Sequence, residues 1–152
     1  MKIFVSSLDV PIGYVPPTFP SLYWPTKDKY DILYLYYSKD MILYFIYWSL
    51  IMFGGVYLIA GTVAAASLSF NYYENKITIL KVSILNKLIT VLIFFVVGLV
   101  EGLISGAVVG LLVQAIYRAG SLSMSTWIPF CWSMAEILFN ICCLAPTSLV
   151  IL

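Results

Sequence analysis

Leu88 to Tyr117 reads LITVLIFFVVGLVEGLISGAVVGLLVQAIY, a run of 30 residues carrying one charge, Glu101. About 20 apolar residues cross a hydrocarbon core about 30 Å thick. The run is therefore long enough for one transmembrane helix and too short for two. Inside it Gly98, Gly102, Gly106 and Gly110 follow one another at intervals of four. On a helix such residues stack along one face. A stripe without side chains lets a second helix approach closely enough for dispersion contacts and weak CH···O bonds. The stripe has two readings. One is packing against the chain's own spans, for which Gly54, Gly61 and Ala65 offer a small face, and the other is docking to another subunit.

Two further runs flank this one. Met41 to Phe70 is 30 residues without a charge. Trp127 to Leu152 is 26 residues, interrupted by Glu136 and by Pro129 and Pro146 near its ends, where a missing backbone donor costs least. The fold class is an all-α membrane protein with three transmembrane helices, at about 41–68, 88–117 and 129–152. Residues 41–152 form the transmembrane domain, with the carboxyl terminus at a membrane face. Residues 1–40 differ in kind. Pro11, Pro16, Pro17, Pro20 and Pro25 exclude a continuous helix. The apolar start at Ile3-Phe4-Val5 ends at Ser6, too soon for a cleavable signal segment. Tyr30, Tyr34, Tyr36 and Tyr37 lead into Tyr44, Tyr47 and Trp48, and rings with a polar tip concentrate at the membrane interface. The expected form is a proline- and tyrosine-rich extended arm entering a short interfacial helix.

Composition narrows the function. Apolar residues make up 62% of the chain and charged residues 10%, against about 25% charged in soluble domains. An ordinary soluble globule and a disordered chain are both excluded. Net charge is +1 with no basic run, so nucleic acid is not an expected partner. There is no histidine, which removes Ser-His-Asp and Cys-His nucleophilic sites and imidazole metal sites. Cys131 and Cys142 lie eleven residues apart, about 16 Å along a helix. They cannot share a metal ion, and with Cys143 they read as small core residues or lipidation sites. No metal, cofactor or catalytic group is expected. The counts of basic residues on the two sides do not fix orientation, and no Asn-x-Ser/Thr occurs to help.

Two acids lie at bilayer depth, where a carboxylate costs at least about 2.5 kcal/mol on insertion scales. Glu101 stands one turn before Ser105, at the edge of the glycine stripe, and Glu136 shares a face with Ser133 and Asn140. Both seams should face protein or a cavity. They read as protonated or partnered carboxyls in interhelical hydrogen bonds, or as titrating sites of a pathway that three helices alone are too few to wall. Tyr117 and Arg118 close the second span as an interfacial anchor to headgroup phosphates.

Ile-Tyr-Arg-Ala-Gly (116–120), Met124 in the short loop, and Ile-Pro-Phe (128–130) opening the last span resemble the transmembrane protein 170 family. The glycine-bearing second span and the Tyr47-Trp48 entry to the first are similar too, so the resemblance covers roughly residues 41–152. The chain departs from animal members in Glu101 and in having no sequon in its amino-terminal segment. The resemblance implies a three-span, multi-pass protein of the endoplasmic reticulum and nuclear envelope, with a luminal amino terminus and a cytosolic carboxyl terminus. It implies a part in membrane shape, favouring sheets over tubules, and links to large bridge-like lipid-transfer proteins as an accessory subunit. Its partners would then be membrane lipids and a larger membrane protein. From other classes, a proton-coupled carrier or oligomeric channel using Glu101 and Glu136, and an assembly factor for one membrane complex, stay open. An enzyme is disfavoured, because two isolated acids do not make an active site.

Overall fold

The computed structural model describes Val10, residues 12–22, 34–74 and 84–149. The apolar start at residues 1–9, Pro11, the stretch 23–33 with Pro25 and Tyr30, the loop lysines Lys76 and Lys81, and residues 150–152 lie outside the described residues. A two-residue strand β1 (Tyr34–Leu35) precedes helix α1 (Ser38–Glu74), and helix α2 (Ile84–Ala119) follows. A second strand β2 (Met124–Ser125) then leads into helix α3 (Trp127–Leu149). The three helices hold 37, 36 and 23 residues, about 55, 54 and 34 Å at 1.5 Å per residue. Each is long enough to span the hydrocarbon core, and α1 and α2 extend beyond the runs expected of them.

The setting of α2 identifies the solvent. Only 11% of its most apolar window is buried inside the protein. Such a helix is stable where its surroundings are as apolar as its side chains. The chain is an all-α membrane protein.

Its hydrophobic core is not central. Leu35, Met41, Tyr44, Phe45, Val113 and Met124 cluster at one end of the bundle, with Phe19, Trp48, Val109, Tyr117 and Ile128 around them. That end gathers the start of α1, the finish of α2 and the start of α3, and it carries Lys39, Asp40 and Arg118. Burial of apolar surface stabilises only where the alternative is water. The core therefore forms where the bundle leaves the membrane.

The strand pair adds to the sequence expectation. β1 and β2 run antiparallel, Tyr34 opposite Ser125 and Leu35 opposite Met124. Tyr34–Leu35 is thus extended, and the helix that follows begins at Ser38. Pairing with the α2–α3 loop satisfies backbone groups that would otherwise be stranded near the apolar phase. α3 starts at Trp127, so Pro129 falls in the first turn, where its missing N–H breaks no helical bond. The arm described at 12–22 folds back on this end. The Tyr44 hydroxyl donates to the Pro17 carbonyl at 2.8 Å. Phe19 packs on Tyr44, Tyr47 and Trp48 with ring centroids 5.2–5.6 Å apart.

Candidate functional site

The α1–α2 seam is built on the glycine stripe. An added Cβ at Gly98 would lie 2.6 Å from Tyr57 Cβ, at Gly102 3.0 Å from Phe53 Cβ, at Gly106 2.8 Å from Ser49 Cβ, and at Gly110 3.0 Å from Phe45 Cβ. Each step of four residues down one helix is a step of four up the other, so the register is strictly antiparallel. Three large side chains of α1, and the small Ser49, occupy the positions the glycines leave open. At the far end the roles reverse, with Gly61 of α1 receiving Phe94 of α2. The complementary face was expected at Gly54, Gly61 and Ala65. Of these Gly61 makes the close approach, while the stripe itself packs on Phe45, Ser49, Phe53 and Tyr57. The groove is filled by α1 and offers no surface to a docking partner, because every open Cβ position along it is already in contact.

α3 lies against α1 and touches α2 at few points. What joins α3 to α2 is polar, while Phe130 of α3 also packs edge-on against Trp48 of α1 at 4.9 Å. Ser105 on α2 donates to Glu136 Oε2 on α3 at 2.9 Å, and Ser49 on α1 donates to the same oxygen at 3.0 Å. Ser133, fully buried, sits 3.1 Å from the Ser49 hydroxyl and gives its own proton to the Pro129 carbonyl at 2.8 Å. Glu101 Oε2 accepts from the Tyr57 hydroxyl and, at 3.5 Å, from Asn140 Nδ2. The two seams expected on separate helices, Glu101 with Ser105 and Glu136 with Ser133 and Asn140, are thereby cross-linked by two separate sets of bonds, one on each acid. Ser49 and Tyr57 were not anticipated. Their signal lay in register: Ser49, Phe53 and Tyr57 share one face of α1 at the spacing of the glycines they meet.

Between α2 and α3 both acids line a cleft of about 360 Å³, walled by Phe53, Ile104, Val109 and Phe139 around Glu101, Ser105, Glu136 and Asn140. Trp127 opens α3, and Glu136 lies nine residues in, about 14 Å along the axis. That is near the middle of a hydrocarbon core about 30 Å thick. The cleft can take up hydrogen-bond donors or positive charge. Among the described residues no three His, Cys, Asp or Glu side chains surround a common point.

Elsewhere the anticipated residues separate. Tyr117 packs against the end core, and Arg118 is exposed in the last turn of α2, where a cation suits the helix dipole. The turn that follows is closed by Leu122 N–H donating to the Tyr117 carbonyl at 3.0 Å. Of the two readings of Cys131, Cys142 and Cys143, core residues or lipidation sites, the first does not hold: all three are exposed free thiols. They face outward because α3 turns Ser133, Ile137 and Glu136, not its cysteines, toward α1.

Three membrane helices, a glycine-sealed hairpin and a third helix attached through buried polar groups define a small polytopic membrane protein. The chain matches the Transmembrane protein 170A/B-like family over residues 34–145, from β1 into α3, and belongs to it. It is also 40% identical over 142 residues to the uncharacterized protein YPR153W of Saccharomyces cerevisiae, covering 93% of this chain and 92% of that one. No solved structure matches.

Proposed function

We propose that the chain is a non-enzymatic subunit of the endoplasmic reticulum and nuclear envelope membranes, accessory to a membrane-shaping or bridge-like lipid-transfer assembly. The family resemblance supplies the assembly. The observation that carries the subunit reading is the cleft between α2 and α3, open within the membrane and lined by two carboxyls. A self-sufficient bundle would close such a cleft on itself, since polar groups at this depth are costly when unpaired. With the amino terminus luminal, the aromatic cap would face the lumen.

Gentle detergent extraction of the tagged protein, followed by sizing and mass spectrometry, tests this. Co-migration with a long lipid-transfer chain in a large particle is the expected result. Migration as a bare 17.1 kDa chain or a small homo-oligomer would overturn it. An association seen only during assembly would make the protein an assembly factor.

The presence of Glu101 and Glu136 on one cleft favours a second reading, a proton-coupled carrier or channel. Replacing both by Gln keeps their shape and removes their titration. Unchanged growth and organelle pH in that double variant would exclude it.

A further inference from the structure

Among the described residues, hydrogen-bond acceptors are left unpaired at the α2–α3 cleft. Glu101 and Glu136 present four carboxyl oxygens there and Asn140 an amide oxygen. The hydroxyls of Ser49, Ser105 and Tyr57 and the Asn140 amide all converge on a single oxygen of each carboxyl, Oε2. Glu136 Oε1 and Asn140 Oδ1 are buried with no hydrogen-bond partner among the described residues. Ser133 cannot supply them, its proton being held by the Pro129 carbonyl. Asn140 stands one turn beyond Glu136, so both unpaired acceptors lie on one side of α3. Buried acceptors left without donors are costly, and ionised carboxyls at mid-depth more so.

We infer that one transmembrane helix of a partner protein docks over the cleft, and that this helix places a Lys or Arg side chain in it at the level of Glu136. The inference rests on the subunit reading above and names the chemistry of the partner. Depth favours a helix, since a spanning segment passes the level of Glu136 whereas a headgroup does not reside there. The walls fit as well. Phe53, Ile104, Val109 and Phe139 give an apolar lining for an aliphatic stem whose charged head meets the acids. Ile104 and Phe139 at the mouth are 58% and 72% exposed, so the surface around the opening is free. Charge complementarity excludes a second copy as the occupant. Met41–Phe70, Leu88–Tyr117 and Trp127–Leu152 contain no Lys or Arg, so another copy would bring no cation to the level of Glu136.

The test is photo-crosslinking in native membranes, with the photoreactive residue placed in the full-length chain at Ile104, at Phe139, or at the exposed Ile59 of α1. The two cleft positions should join the same span of one partner, with a Lys or Arg within about one turn of the joined residue, and Ile59 should not. Glu136→Gln should lower partner recovery on the order of tenfold or more, as loss of one member of a buried charge pair does. Glu136→Lys should abolish recovery, and changing the partner's basic residue to Glu should restore it. Adducts to lipid, to a second copy, or to a helix without a basic residue overturn the inference, as does undiminished recovery with Glu136→Gln. Crosslinking retains both native carboxyls, so it decides even if a Glu136 variant fails to insert. A wild-type protein that travels alone defeats the subunit reading. One that travels with its assembly while Ile104 and Phe139 meet only lipid defeats this inference alone.

Discussion

α2 takes part in two seams of opposite construction. Toward α1 it presents glycines, and the seam is closed by backbone approach: Gly106 stands where a Cβ would lie 3.1 Å from Ile46 Cα. Toward α3 it presents Glu101 and Ser105, and the seam is held by a few hydrogen bonds across an open cleft. Inside a bilayer, lipid tails are as apolar as Leu, so helices associate through close packing or through polar pairing. This chain uses one device on each side of a single helix. Close packing depends on shape and tolerates no insertion, whereas polar pairing depends on proton count and accepts another donor. The first seam suits a permanent hairpin, and the second suits a surface that something else completes.

The strongest way to break that contrast is to put a side chain into the closed seam. Gly106→Leu must displace the Ser49 side chain and the α1 backbone at Ile46. Overpacking of this kind costs about 3 kcal/mol, and here it strikes a contact between backbones that cannot rotate away. The variant should insert, yet lose the α1–α2 hairpin, read as a large drop in the denaturing-detergent midpoint. Gly55→Leu, a position with nothing within 4 Å, should leave the midpoint nearly unchanged. Equal losses at both positions would mean that bulk alone, not the seam, sets stability.

A smaller effect is expected at the polar seam. Ser49→Ala removes a fully buried hydroxyl that touches Ser133 and Glu136. The cost should be about 1–2 kcal/mol, because Glu136 Oε2 keeps its bond from Ser105. Thr62→Val is the matched control, since its hydroxyl bonds only the Ile59 carbonyl of its own helix at 2.7 Å on an exposed face. If the two variants unfold at the same detergent concentration, the serine network does not hold α3 in place.

The two seams were not equally legible in the sequence. The glycine spacing named the close-packed face of α2 outright, because a repeat of four has a single geometric meaning on a helix. It could not name the opposing residues. Ser49, Phe53 and Tyr57 look like ordinary lipid-facing residues until the antiparallel register is known. The acids were legible as residues in need of partners, since hydrocarbon penalises any lone carboxyl. Their joining across α2 and α3 was not, because Ser105 and Asn140 become donors to each other's seam only once the helices are placed. The strand pair was least visible. Two residues carry no period, and the interfacial tyrosines of 34–37 suit an extended segment as well as a helix. The core reading of the cysteines fails for a related reason: burial preference learned in water has no hold on a helix face that meets lipid.

The smallest effect concerns the amino-terminal arm, whose hold on the bundle sharpens the contrast from the aqueous side. The Tyr14 hydroxyl donates to the Tyr34 carbonyl at 2.8 Å, and its ring stacks edge-on against Tyr36 at 4.9 Å. Burial pushes this phenol up from its ordinary value of 10.0 to about 12. The folded arm therefore favours the neutral ring. Its contribution is whole below about pH 10, where the free phenol is also neutral, and is lost as pH rises through about 12. Tyr14→Phe keeps the ring contacts and removes the hydrogen bond, at a cost of about 1 kcal/mol. An alkaline titration followed by phenolate absorbance should lose one late-ionising group in that variant relative to the wild type, and protease cleavage within residues 12–22 should quicken. If the group that disappears is instead one that ionises with free tyrosine, Tyr14 lies off the bundle in the membrane, and only the core formed by Leu35, Met41, Tyr44, Phe45, Val113 and Met124 holds the cap together.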